Sequence, residues 1–266
     1  MRKTLLLFIL LLVMSIIGCG ISYTESPTKT TTHTNDVQPS SNLADNNRQV
    51  IHQGQGKLTS DNSIDTVTVY TEEQTNEDIG VPVYLEANVN GKSLLCFLGN
   101  YDKHVLKYGG GLFLTDLTGD EFDEIVLFME TSARGVALAQ IYQVVSDDLV
   151  LFCDLNDIMP DITTSYHDNH MAVLENSSVS FYQELDISKE FVPERFNKNG
   201  LFTGNTTAFL YPIHQGKVDG EIPWKVICVR YVYLTNCLGE IETSAEYDSN
   251  TNTMVITGIN FISKEN

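Results

Sequence analysis

Acidic side chains in two matching segments carry the clearest chemical pattern in this chain. Leu58-Thr59-Ser60-Asp61-Asn62-Ser63-Ile64-Asp65-Thr66-Val67 aligns without a gap on Leu117-Thr118-Gly119-Asp120-Glu121-Phe122-Asp123-Glu124-Ile125-Val126. In each copy an Asp-rich turn runs straight into an apolar strand, and carboxylates in such turns accept backbone N–H groups that no sheet satisfies. Other chemical candidates are thin. His167 and His170 lie three residues apart in His167-Asp168-Asn169-His170 but lack a third ligand at zinc spacing. Tyr108-Gly109-Gly110-Gly111 lacks the Lys-Ser/Thr of a phosphate loop. Gly-x-Ser-x-Gly and His-Glu-x-x-His motifs are absent from the sequence, and its Ser-x-x-Lys, Ser26 to Lys29, lies in the Ser/Thr-rich stretch read as linker, so the chain reads as non-catalytic.

The elements that position these residues are short runs rich in Val, Ile, Phe and Tyr, separated by Gly, Asp and Asn, which predict strands. They are Ile64–Thr71, Val81–Val89, Ser93–Leu98, Gly111–Leu114, Glu124–Met129, Val136–Val145, Leu149–Asp154, Ser178–Gln183, Thr207–Tyr211, Trp224–Leu234, Glu240–Tyr247 and Met254–Ile262. Thr66-Val67-Thr68-Val69-Tyr70 alternates cleanly, as a strand with one wet face does. Asn90-Gly91 sits between two such runs at tight-hairpin spacing. Only Leu155–Ile162 and Asp186–Phe196 suit a short helix, and Pro160 and Pro193 limit both. The expected fold is all-β: antiparallel meanders in blade-like repeats, forming a partial β-propeller or a sandwich-like stack.

The chain begins Met1-Arg2-Lys3, continues with an apolar stretch and ends that stretch at Ile16-Ile17-Gly18-Cys19. This is the layout of a secretory signal and is too short to span a bilayer comfortably. Ile16 to Cys19 resembles the lipobox of bacterial lipoproteins, in which cleavage precedes a diacylated cysteine. That resemblance implies lipidation at Cys19, a membrane partner reached through the lipid, and a place on the extracytoplasmic face of the bacterial cell membrane. Residues 1–18 then read as signal peptide, 19–55 as a lipid-anchored disordered linker rich in Ser, Thr, Asn and Gln, and 56–266 as the β-rich domain.

Composition narrows the partners. The first 18 residues hold two of the 16 basic residues and none of the 35 acidic ones, so the remainder carries 14 basic against 35 acidic residues, a net −21. Nucleic acid is excluded as a partner, because polyanions are bound through clustered Lys and Arg. Four cysteines follow Cys19, namely Cys96, Cys153, Cys228 and Cys237. Three pairings are open to them outside the cytoplasm, and buried free thiols fit their apolar settings equally well.

The stretch Asp116-Leu117-Thr118-Gly119-Asp120-Glu121-Phe122-Asp123-Glu124-Ile125-Val126-Leu127 resembles the loop of VCBS and FG-GAP repeats, the blades of integrin-like β-propellers. That loop reads Asp-x-Asp/Asn-x-Asp-Gly-x-x-Asp/Glu before apolar residues. Thr131-Ser132-Ala133-Arg134-Gly135 with the strand after it, and the tail from Trp224 to Phe261, are similar to VCBS-repeat-containing lipoproteins of Gram-positive bacteria. The resemblance implies calcium held by Asp116, Thr118, Asp120, the Phe122 carbonyl and Glu124, since alternate residues of a tight loop turn inward and calcium takes oxygen ligands. Three positions depart from the pattern. Thr118 replaces a stronger ligand, Glu121 stands where the family prefers Gly, and Lys57 opens the first copy. An Asx turn that starts a strand without metal is the alternative. The expected function is a surface-anchored, non-catalytic β-domain that binds an envelope or extracellular ligand. An envelope hydrolase using carboxylates from distant strands, or a structural partner of an envelope complex, is the alternative.

Overall fold

The computed structural model describes residues 48–60, 63–72, 80–101, 110–130, 137–167, 170–188, 210–220, 224–233 and 237–264, all within the compact unit Asp45–Asn266. Cys19 and the signal and most of the linker lie outside the described residues. The fold is all-β, with four antiparallel sheets that form no closed barrel among the described residues.

Sheet 1 is the meander β1 (Arg48–Gly56), β2 (Asp65–Glu72), β3 (Val81–Val89) and β4 (Lys92–Tyr101). Sheet 2 repeats it with β5 (Gly110–Thr115), β6 (Glu124–Glu130), β7 (Ala137–Val145) and β8 (Asp148–Asp154). A one-turn helix α1 (Leu155–Ile158) leads to sheet 3, made of β9 (Thr163–His167), β10 (Met171–Asn176) and β11 (Phe181–Asp186). Sheet 4 contains β12 (Leu210–Asp219), β13 (Lys225–Tyr233), β14 (Cys237–Asp248) and β15 (Thr253–Ser263).

Hairpin chemistry sets the meanders. Asn90 and Gly91 have φ of 53° and 77°, and Ser146 and Asp147 have 51° and 65°. Positive φ at both central residues is the twist-matched two-residue turn. Packing then follows from which faces are apolar. Val67, Val69, Val83 and Leu85 of sheet 1 meet Ile125, Leu127, Met129 and Tyr142 of sheet 2 in one core. The opposite face of sheet 2, with Val126, Phe128, Ala139 and Ile141, meets Val226, Cys228, Ala245 and Met254 of sheet 4 in a second. Strand β6 is therefore buried on both faces, which explains its unbroken apolar run Ile125-Val126-Leu127-Phe128-Met129. A third core joins Ala172, Leu174 and Leu185 of sheet 3 to Val232 and Ile241 at the other end of sheet 4.

Four expectations need correction. Residues 48–55, expected in the linker, belong to β1, which pairs with β2 from Arg48↔Glu72 to Gly56↔Asp65. The helix expected over Leu155–Ile162 stops at Ile158, two residues before Pro160. The strand expected from Ser178 begins only at Phe181, because Asn176 caps a 3₁₀ turn over Ser177–Val179 by accepting from the Ser178 and Val179 amides. Asp186, expected to start a helix, ends β11, and 189–196 lie outside the described residues.

Candidate functional site

The repeat found in the sequence is a repeat of hydrogen bonds. Strands β2 and β6 begin at Asp65 and Glu124, the matching last acidic positions of the two segments. The Leu58 amide donates to Asp65 Oδ2 at 3.1 Å, and the Leu117 amide donates to Glu124 Oε2 at 2.6 Å. A hydroxyl supports each carboxylate. Ser63 donates to Asp65 Oδ1 at 3.1 Å, and Thr118 donates to Glu124 Oε1 at 3.3 Å. Both residues are 2% exposed, so their carboxyl oxygens are held inside a ring of donors. Asp61, the other acidic residue of the first turn, lies outside the described residues.

The second loop is more fully engaged. Asp116 accepts the Gly119 amide at 2.7 Å, the Asp120 amide at 3.2 Å and the Glu121 amide at 2.9 Å. Asp120 accepts the Phe122 amide at 3.0 Å. Gln143 from β7 donates to Glu124 Oε1 at 3.0 Å. Glu121 takes φ of 73°, the left-handed conformation that the resemblance assigns to Gly, which costs about 1 kcal/mol for a side-chain-bearing residue. Burial raises the Glu124 pKa, opposed by the bonds from Gln143 and Leu117 and reinforced by Asp120 and Asp116.

Asp116, Thr118, Asp120, Phe122 and Glu124 thus share one loop, in which Asp116 and Glu124 each accept three hydrogen bonds. Among the described residues no three His, Cys, Asp or Glu side chains group as a metal centre would need. The loop as it stands makes Asx-type turns, and a carboxylate oxygen that accepts one N–H keeps a lone pair for a cation. His167 is exposed at the end of β9 and shares a hydrogen bond with Ser165 at 3.2 Å.

A second feature escaped the sequence reading. The outer face of sheet 1 carries a row that crosses all four strands through the pairs Val50↔Tyr70, Tyr70↔Tyr84 and Tyr84↔Phe97. Tyr70 and Tyr84 stack at 5.4 Å, and Tyr84 meets Phe97 at 5.5 Å. Arg48 closes the row, its guanidinium 4.3 Å from the Tyr70 ring centre and 3.1 Å from Glu86. Val50, Leu95 and Phe97 are 54%, 56% and 55% exposed, while the Tyr70 hydroxyl is buried without a hydrogen-bond partner. Alternation along a strand signals such a face, but only the cross-strand register shows that its aromatics line up.

Burial works against Cys96, Cys153 and Cys228 as nucleophiles. Cys96, Cys153, Cys228 and Cys237 are all free thiols. Burial pushes Cys228 up to about 12 and Cys153 up to about 11, so both stay protonated at neutral pH.

By its fold the molecule is an all-β protein of antiparallel meander sheets stacked face to face. Comparison with protein-family models, curated proteins and solved structures finds no match to the chain.

Proposed function

We propose that this chain is a lipid-anchored protein of the extracytoplasmic face of a bacterial cell membrane, and that its β-domain binds an uncharged or cationic envelope ligand without catalysis. The observation that carries the binding part is the outer face of sheet 1, where Val50, Leu95 and Phe97 stand exposed along an aromatic row. Tyr70 between Val50 and the β4 pair is 1% exposed, so the exposed apolar surface is centred on Leu95 and Phe97, and neighbouring exposed apolar side chains mark an interaction site more often than scattered single residues do. The net −21 of the chain after residue 18 selects against polyanionic ligands. The lipobox at Ile16 to Cys19 supports the anchor.

Two experiments test the two parts. Cys19→Ala should release the protein from membranes or leave it unprocessed, and a processed, membrane-bound variant would refute the anchor. For binding, the wild-type protein should co-sediment with isolated cell envelopes, and a Leu95→Ser, Phe97→Ala variant of normal thermal stability should not. Equal sedimentation of the two proteins would remove sheet 1 as the binding face.

A further inference from the structure

Arg230 lies on the inner face of β13, between Cys228 of the second core and Val232 of the third. Its Nη1 donates to the Pro160 carbonyl at 3.0 Å, which fixes the guanidinium against the segment that follows α1. Nε and Nη2 are buried and have no hydrogen-bond partner. These two N–H groups point the same way and form the side-on fork that matches the two oxygens of a carboxylate. Thr243 is wholly buried, and its Oγ1 is also unpartnered. It faces Cys228 across the β13–β14 pair and so sits diagonally beside Arg230 on the same face.

Neighbouring groups leave this charge uncompensated. Asp161 attracts Arg230 electrostatically, yet among the described residues no carboxylate forms an ion pair with the guanidinium. Burial keeps the Cys228 thiol neutral. Buried polar groups without partners are rare in folded proteins and point to a bound water, ion or ligand. Here every unpaired hydrogen-bonding position can donate, and the largest is a preformed fork on a cation. Arg230 as a residue is partly exposed, while its Nε and Nη2 are themselves closed to solvent.

We infer that Arg230 and Thr243 form a receptor for a carboxylate, seated where sheet 4 passes from sheet 2 to sheet 3. The Nε and Nη2 hydrogens take the two carboxylate oxygens, and the Thr243 hydroxyl adds a third donor. The site is separate from the outer face of sheet 1 and does not depend on what that face binds.

Thermal unfolding of the purified protein tests it, with sodium acetate replacing sodium chloride at constant ionic strength. The wild-type Tm should rise saturably, on the order of 2–4 °C once acetate is well above its dissociation constant. Arg230→Lys keeps the charge but loses the fork, and should lose the rise. No difference between acetate and chloride for the wild type, or an undiminished rise in Arg230→Lys, overturns the assignment. Should Arg230→Lys fail to fold, the relaxation of ¹³C-acetate decides. Enhancement by the wild type that is reduced several-fold in Thr243→Val supports the site, whereas no enhancement, or equal enhancement by both proteins, refutes it.

Discussion

Lys57 and Asp123 hold each other by two hydrogen bonds, the Lys57 amide donating to Asp123 Oδ2 and the Asp123 amide donating to the Lys57 carbonyl, each at 2.7 Å. This exchange ties the start of the first acidic segment to the end of the second, so the two sheets are joined at their repeated turns as well as through their core. The Lys57 ammonium lies 5.0 Å from the centre of the Phe122 ring in the same contact. Lys57 occupies the position that Asp116 holds in the second copy, and its backbone there serves the join between copies.

Asp123→Ala removes the acceptor of the Lys57 amide and should cost about 1–3 kcal/mol, the range for leaving a partly buried donor unmade. Gly56→Ala should destabilise through the same contact, because a Cβ there would stand 2.6 Å from Asp123 Oδ2. The two changes share a partner, so the double variant should lose less than the sum of the singles. Urea unfolding of all four proteins checks this, and strict additivity would contradict the shared contact.

Glu124 gives a pH signature. Its folded pKa is raised, chiefly by burial, so the folded state holds this proton more tightly than the unfolded chain does. The stability it contributes is full below the ordinary Glu value of about 4.3 and is lost as pH rises through the folded value. Glu124→Gln should therefore gain on the wild type as pH rises across that window. Parallel stability curves for the two proteins would contradict the burial of a titrating carboxylate.

His52 acts with the opposite sign. Its Nε2 is buried without a partner, and a Cβ added at Gly110 would come within 3.2 Å of it, so the ring sits in the seam between β1 and β5. Burial lowers its pKa. The associated stability is present above the unfolded His value of about 6.5 and is lost as pH falls toward and through the folded value. His52→Leu should flatten the acid-side fall in Tm relative to the wild type. An unchanged slope would show that His52 titrates as it does in the unfolded chain.

Much of this fold was legible because it is written in local alternation. Strand β3 has the bounds expected from sequence, and Asn90-Gly91 makes the expected turn. Strand β1 was missed because Arg48-Gln49-Val50-Ile51-His52-Gln53-Gly54-Gln55-Gly56 is polar and glycine-containing, and only pairing with β2 makes it regular. Strands β9 and β10 were hidden by the polar sequence at their turn, where His170 takes φ of 62°. The capping role of Asp65 followed from the repeat, whereas Glu124, which the repeat resemblance placed among calcium ligands, accepts the Leu117 amide in the matching way. The fork of Arg230 did not, since an arginine in an apolar strand looks the same whether or not distant carbonyls and carboxylates reach it.

The acidic loop should hold without metal, because Asp116 and Glu124 each already accept three amide or hydroxyl hydrogen bonds. Millimolar calcium is expected to leave the melting temperature of the wild-type protein unchanged. A saturable rise that Asp120→Ala abolishes would instead make Asp116, Thr118, Asp120, Phe122 and Glu124 a calcium site of the kind the repeat resemblance implies.

Anchoring at the membrane is the claim on which the proposed role rests, and mass spectrometry of protein extracted from bacterial membranes tests it most directly. The mature chain should begin at Cys19 and carry the added mass of a diacylated cysteine. A mature chain that begins elsewhere, or one that begins at an unmodified Cys19, would contradict it.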